Sequence, residues 1–178
     1  MSSIPPFGWQ HQGSQDRWWF AFPMTSLPAI SNSGRLLSAV TGRALGGEAM
    51  ACPADLQKKG DREKLAEAAL SAYGHVDILV NNAAILVPGT VLDFPERYYD
   101  RMFEILVKAP FHLCQLLLPG MVARKTGSVL NISSSAARHP KPDQRSYDGA
   151  VYGMTKAAIE RFTTGLASEM YEHRVSVN

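Results

Sequence analysis

Tyr152 and Lys156 stand four residues apart in the run Tyr152-Gly153-Met154-Thr155-Lys156. On a helix that spacing puts both side chains on one face, so the ammonium can sit beside the phenol and favour its ionised form. Free tyrosine titrates near 10, and bringing it close to 7 takes roughly three units, or about 4 kcal/mol. A unit charge about 4 Å away supplies about 4 kcal/mol at an effective dielectric of about 20. One well-placed lysine therefore turns the tyrosine into a usable acid or base. The pair alone has little specificity, because six Tyr and seven Lys in 178 residues give roughly 0.2 such pairs per chain by chance. Its meaning depends on what stands near it, beginning with Ser133-Ser134 upstream. Tyr147, a rival acid or base, has Val151 rather than a cation four residues on, so it is expected to line a substrate loop. His139, alone in the same loop, reads as solvated.

The elements that must position these side chains can be read in chain order. Residues 1–34 hold all three Trp and four Pro with no sustained period, and read as irregular. Trp18 to Phe22 has strand-forming residues, but Pro23 and Pro28 cut it short. Leu36 to Leu45 has a helical pattern stopped by Gly46-Gly47, and Glu48 to Asp55 reads as a short strand. Thr41-Gly42-Arg43-Ala44-Leu45-Gly46-Gly47 could also be a phosphate-wrapping turn, but such a turn must follow a strand and open a helix. The helix-stop reading is preferred on that context. Asp61 to Tyr73 is an amphipathic helix whose Leu65, Ala68, Ala69 and Ala72 share a face, closed by Gly74.

Val76 to Val80 is an apolar run typical of a buried parallel strand, followed at once by Asn81-Asn82-Ala83-Ala84. Asp93 to about Leu118 is helical, entered through Pro95, with a kink expected at Pro110. Gly127 ends the connection, Ser128 to Ile132 is the next strand, Ala150 to about Tyr171 the last helix, and Arg174 to Asn178 a final strand. Alternating strands and helices predict an α/β fold with a parallel sheet. Parallel strands share one C-terminal edge, where open sheets bind ligands. Asp55, the Asn81 to Ala84 turn and Ser133-Ser134 are all expected at that edge, with Tyr152 near the start of the helix leaving it.

Composition sets the class. With 46% hydrophobic and 19% charged residues, the chain reads as one globular unit or part of one. The net charge of +2 comes from well-mixed charges with no long single-sign run, which argues against a nucleic-acid partner. Cys52 and Cys114 sit far apart in apolar surroundings and read as reduced thiols, not a disulfide or metal site. No apolar run approaches 18 residues and no signal-peptide pattern opens the chain, so a cytoplasmic protein without a membrane partner is expected.

PADL before a helix, then DILVNNAA, GSVLNISS, YGMTK and HRVSVN, in this order over residues 35–178, together resemble the short-chain dehydrogenases/reductases. That resemblance implies a Rossmann-type doubly wound parallel sheet and an oxidoreductase that moves a hydride between NAD or NADP and a small-molecule carbonyl or secondary alcohol. It implies Tyr152 as catalytic acid/base, and Lys156 as the group that lowers its pKa and holds the nicotinamide ribose. Ser134 would hydrogen-bond the substrate oxygen, with Ser133 structural and Ser135 the fallback. Asp55 and Leu56 match the pair beside the adenine ring. Asn82 and Ala83 match the turn that packs the sheet and passes the cofactor. Homo-oligomers are expected as well, since the helices carrying Met102, Phe103, Leu106, Val107 and Phe111, and Ile159, Phe162 and Leu166, have more apolar positions than one sheet face can cover, and the resemblance also implies them.

The sequence departs from the family pattern in three places. Residues 1–34 show no glycine-rich cofactor turn and no recognisable first strand, so the sheet is expected to be partial and β neighbours to lack ladder partners. Leu106 stands where the family carries an asparagine that supports a water-linked proton path. The family's last strands are expected beyond Asn178. A second reading therefore stands beside the enzyme: a catalytically impaired fragment or a non-enzymatic interaction module of the same fold.

Overall fold

The computed structural model describes residues 18–20, 36–38, 50, 52–138 and 149–178. Thr41–Gly47, His139 and Tyr147 lie outside the described residues. Strands β1 (Trp18–Phe20), β4 (Ile78–Asn81), β5 (Gly127–Asn131) and β6 (Val175–Val177) form one sheet in the order β1-β4-β5-β6, every pair parallel. Strands β2 (Leu36–Ser38) and β3 (Cys52–Ala54) pair antiparallel in a separate two-stranded sheet. The helices are α1 (Lys59–Tyr73), α2 (Glu96–Phe103), α3 (Ala109–Arg124) and α4 (Ala150–Met170).

Several expectations change. Trp18–Phe20 is a strand, not irregular chain: aromatic residues suit a pleated strand, and β4 offers the ladder partner that local reading could not foresee. The first strand that the sequence pattern lacked is thus present as a short one, ending before Pro23. Leu36–Ser38 is a strand rather than the start of a helix, because pairing with β3 supplies backbone partners there. As a consequence β3 belongs to the small antiparallel sheet, and Asp55 follows a strand outside the parallel one. Gly127 opens β5 rather than ending the preceding connection. A Cβ at Gly127 would stand 2.8 Å from Met121 Cβ, so the close approach of α3 to the strand favours glycine there.

The helix after β4 runs from Glu96 to Arg124, 29 residues, past Pro119 and beyond the expected end at Leu118. The break expected at Pro110 takes the form of a π turn over Glu104–Lys108, where the Ala109 amide donates to the Glu104 carbonyl five residues back. Proline has no N–H for the carbonyl four residues earlier and its ring crowds that oxygen, and widening the preceding turn relieves both problems. By length and apolarity this helix could cross a bilayer, but half of its most apolar window is buried inside the fold. The main core joins Ala69 of α1, Leu79 of β4, Leu117 and Met121 of α3, Val129 of β5 and Leu166 of α4.

On α1 the buried face is Arg62, Ala66 and Ala69 with Leu65 beside them, while Ala72 is exposed. The face is rotated from the apolar stripe because Arg62 reaches inward. Its guanidinium, 2% exposed, donates to the Leu56 carbonyl, to Glu104 Oε1 at 2.8 Å and to His112 Nδ1 at 3.2 Å. Burial raises the Glu104 carboxyl, but hydrogen bonds from Arg62 and Lys108 more than offset it and hold the pKa below 4.5. A depressed acid contributes stability that is present above its unfolded pKa and lost as pH falls through the folded one. Glu104→Gln should therefore flatten the loss of stability below pH 4.5, and should cost about 3 kcal/mol at neutral pH by leaving a buried guanidinium without its counter-ion. Urea melts across pH check this; an unchanged acid limb would count against it.

Candidate active site

Strands β4 and β5 end in register, Asn81 opposite Asn131, so the chain leaving each arrives at the same sheet edge. After β5 come Ile132 to Ser134 and a 3-10 turn over Ser135–Ala137. Helix α4 starts beside that turn. A Cβ on Gly153 would stand 2.8 Å from the Ala136 carbonyl oxygen, which shows how closely the helix and turn approach.

Lys156 is 4% exposed, and its ammonium donates to the Ile132 carbonyl at 2.7 Å. The same nitrogen lies 5.7 Å from the centre of the half-buried Tyr152 ring. The expected four-residue pairing on one helix face is therefore present. Desolvation by burial pushes the Lys156 pKa below 10.5. An ammonium has three donors and Ile132 takes one, which leaves capacity for further oxygens. Ser134 is half-buried, and its Oγ accepts the Ala136 amide at 3.2 Å. With the oxygen engaged as acceptor, the hydroxyl proton can be donated outward. Ser133 instead donates to Glu160 Oε1 at 2.9 Å, which suits a structural role. Ser135 is exposed.

The other expected cofactor positions are differently occupied. The Asp55 carboxylate accepts the Gln57 amide at 3.1 Å and stands 3.7 Å from Lys58 Nζ, so it shapes its own turn. Leu56 is 6% exposed and packs with Ile105 and Ala109, in a cluster that Ala83 also borders. Asn82 is half-buried in the turn after β4. Leu106, at 2% exposed, packs with Met102 and Val151 in the cluster against which Tyr152 lies. That flank of the phenol is apolar, where an asparagine would have offered a polar group.

Beneath the edge runs a polar chain that local pattern did not single out. Asn81 Nδ2 donates to Asn131 Oδ1 at 2.8 Å, Asn131 Nδ2 to Thr163 Oγ1 at 2.9 Å, and Thr163 Oγ1 to the Ile159 carbonyl at 2.7 Å. An asparagine inside the apolar run VLNI was the available signal, since a buried amide needs partners. Cys114 borders this chain: burial pushes its thiol up to about 12, with the Asn81 side chain pulling the other way. Such a thiol is inert. Cys52 and Cys114 are both free, and among the described residues no His, Cys, Asp or Glu cluster could hold a metal.

Comparison with known proteins agrees with this fold. The family model described as short chain dehydrogenase matches residues 29–178. The 7alpha-hydroxysteroid dehydrogenase of Escherichia coli K12 is 36% identical over 134 residues, 75% of this chain and 50% of the relative. Dehydrogenase/reductase SDR family member 4 of Bos taurus is 34% identical over 148 residues, 83% of this chain and 50% of the relative. The crystal structure of a metagenomic short-chain oxidoreductase in complex with NADP is similar at 33% identity with a TM-score of 0.68, covering 75% of this chain and 58% of that one. The sheet with its flanking helices is thus a partial Rossmann-type fold. The chain spans about half the length of the curated relatives it matches.

Proposed function

Because the chain belongs to the short-chain dehydrogenase family, we propose that it is the catalytic portion of an NAD(P)-dependent oxidoreductase acting on a carbonyl or secondary alcohol. The single observation that carries this reading is Lys156, buried at the sheet edge with its ammonium 5.7 Å from the Tyr152 ring. The residues present fit the ribose and nicotinamide end of such a cofactor, since Lys156 has donor capacity beyond Ile132. When bound, NADH or NADPH supplies the hydride. Ser134 donates its hydroxyl proton in a hydrogen bond to the substrate carbonyl oxygen and holds it in place. Tyr152 transfers its phenolic proton to that oxygen as the carbon is reduced. Lys156 stabilises the phenolate left behind, and the reverse sequence oxidises an alcohol. Leu106, apolar and packed in the cluster against which Tyr152 lies, offers no proton-relaying group of its own.

The assay is absorbance of the reduced nicotinamide during turnover of a panel of ketones, for the chain and for Tyr152→Phe. Turnover that depends on the phenol supports the reading. No turnover of any ketone by the chain at saturating cofactor would sink it and favour the interaction-module alternative.

We also propose a reducing, cytoplasmic setting, which the two free cysteines support, and homo-oligomers built through α3 and α4. Met102, Leu106, Ile159 and Leu166 are used in the core. Phe111, 47% exposed and edge-on to Phe162 at 5.9 Å, remains on the outer face as the apolar contact. Light scattering is expected to give at least a dimer, and Phe111→Lys to return a monomer; a wild-type monomer at high concentration counts against this.

A further inference from the structure

Helix α4 grips the chain leaving β5 at four points along one face. Gly153 lets the helix approach the Ala136 carbonyl, Lys156 donates to the Ile132 carbonyl, and one turn further Glu160 takes both sides of the serine turn. Glu160 Oε1 accepts Ser133 Oγ at 2.9 Å and its Oε2 accepts Arg138 Nε at 3.0 Å. Ser134 lies between these two anchors, its Oγ accepting the Ala136 amide and its carbonyl accepting the Ala137 amide at 3.1 Å. We propose that Glu160 is a positioning residue, which holds the segment from Ser133 to Arg138 and so keeps the Ser134 hydroxyl aligned with Tyr152 and Lys156.

Each anchor alone is weak. Arg138 is 71% exposed, and an exposed ion pair contributes little because water and salt screen it. The combination has a different effect: a single carboxylate that accepts from both ends of a short turn removes the freedom of everything between them. The hydrogen bonds from Arg138 and from Ser133 also hold the Glu160 carboxyl below its ordinary pKa, so it is ionised and accepts on both oxygens at neutral pH. The catalytic meaning of this clamp rests on the reading of Ser134 as the ligand of the substrate oxygen. The mechanical part does not.

Hydrogen exchange on the full chain separates the two. In Glu160→Ala the amides of Ala136 to Arg138 should exchange about tenfold faster, with those of β4 and β5 unchanged. Glu160→Gln, which can still accept from Ser133, should recover most of the protection. Unchanged exchange in the turn, or an equal increase throughout the sheet, overturns the proposal. Exchange needs neither cofactor nor turnover, so it stands apart from the success or failure of the oxidoreductase reading. In the ketone assay, Glu160→Ala should lower kcat about tenfold with cofactor KM unchanged, and Glu160→Gln should restore it. A cofactor KM that rises while kcat holds would overturn the alignment of Ser134.

Discussion

Tyr152→Phe is expected to lower ketone reduction by about 10³-fold, within the range that a positioned general acid supplies. Phenylalanine keeps the ring and its packing against the Met102, Leu106 and Val151 cluster, so the fold at α4 is preserved. It removes only the O–H. Without that proton the developing alkoxide has Ser134 to hydrogen-bond it but no acid to neutralise it, and the barrier rises by about 4 kcal/mol for the stated loss. Lys156 keeps its bond to Ile132 in the variant, since that contact does not involve the phenol. Cofactor affinity should therefore stay the same while kcat collapses. The measurement is single-turnover reduction beside calorimetric titration with the cofactor. A variant within threefold of the wild-type rate would assign the proton to another group, and Ser134 would be the next to test.

Cofactor affinity itself is expected to be weak in this chain and to rise about 100-fold when a glycine-rich turn is built after β1. That strand lies beside β4 in a parallel sheet, the place from which a phosphate-binding turn leaves in dinucleotide folds. The residues that follow, 21–35, contain a single glycine, Gly34, and three residues of the run are Pro23, Pro28 and Arg35. A pyrophosphate rests on backbone N–H groups at a helix N-terminus, and proline offers none. Hydrogen bonds to a charged group are worth about 1.5 kcal/mol or more each, so two of them account for about the expected factor. The test is titration of the chain and of a variant carrying a T-G-x-x-x-G-x-G segment in place of residues 21–35, with both NAD and NADP. Micromolar binding by the unaltered chain would mean that residues 1–35 hold a phosphate site of another kind.

The local pattern determined the elements that dominate the fold. Apolar β4 and β5, the cap at Gly74 and the long helices were legible because each carries its own period or stop signal. The Tyr152 and Lys156 pairing was legible too, since a helix translates spacing directly into geometry. What the tertiary structure decided were properties that depend on a partner. Trp18–Phe20 and Leu36–Ser38 became strands because β4 and β3 were there to pair with them, and three residues cannot make a ladder alone. Arg62 reads as a surface charge on α1 until Glu104, 42 positions away, and the Leu56 carbonyl supply what a buried guanidinium requires. Glu160 likewise sits unremarkably one turn beyond Lys156 in sequence. Only the fold brings Ser133 and Arg138 to its two oxygens, because a carboxylate's role is set by which donors reach it and not by its neighbours along the chain.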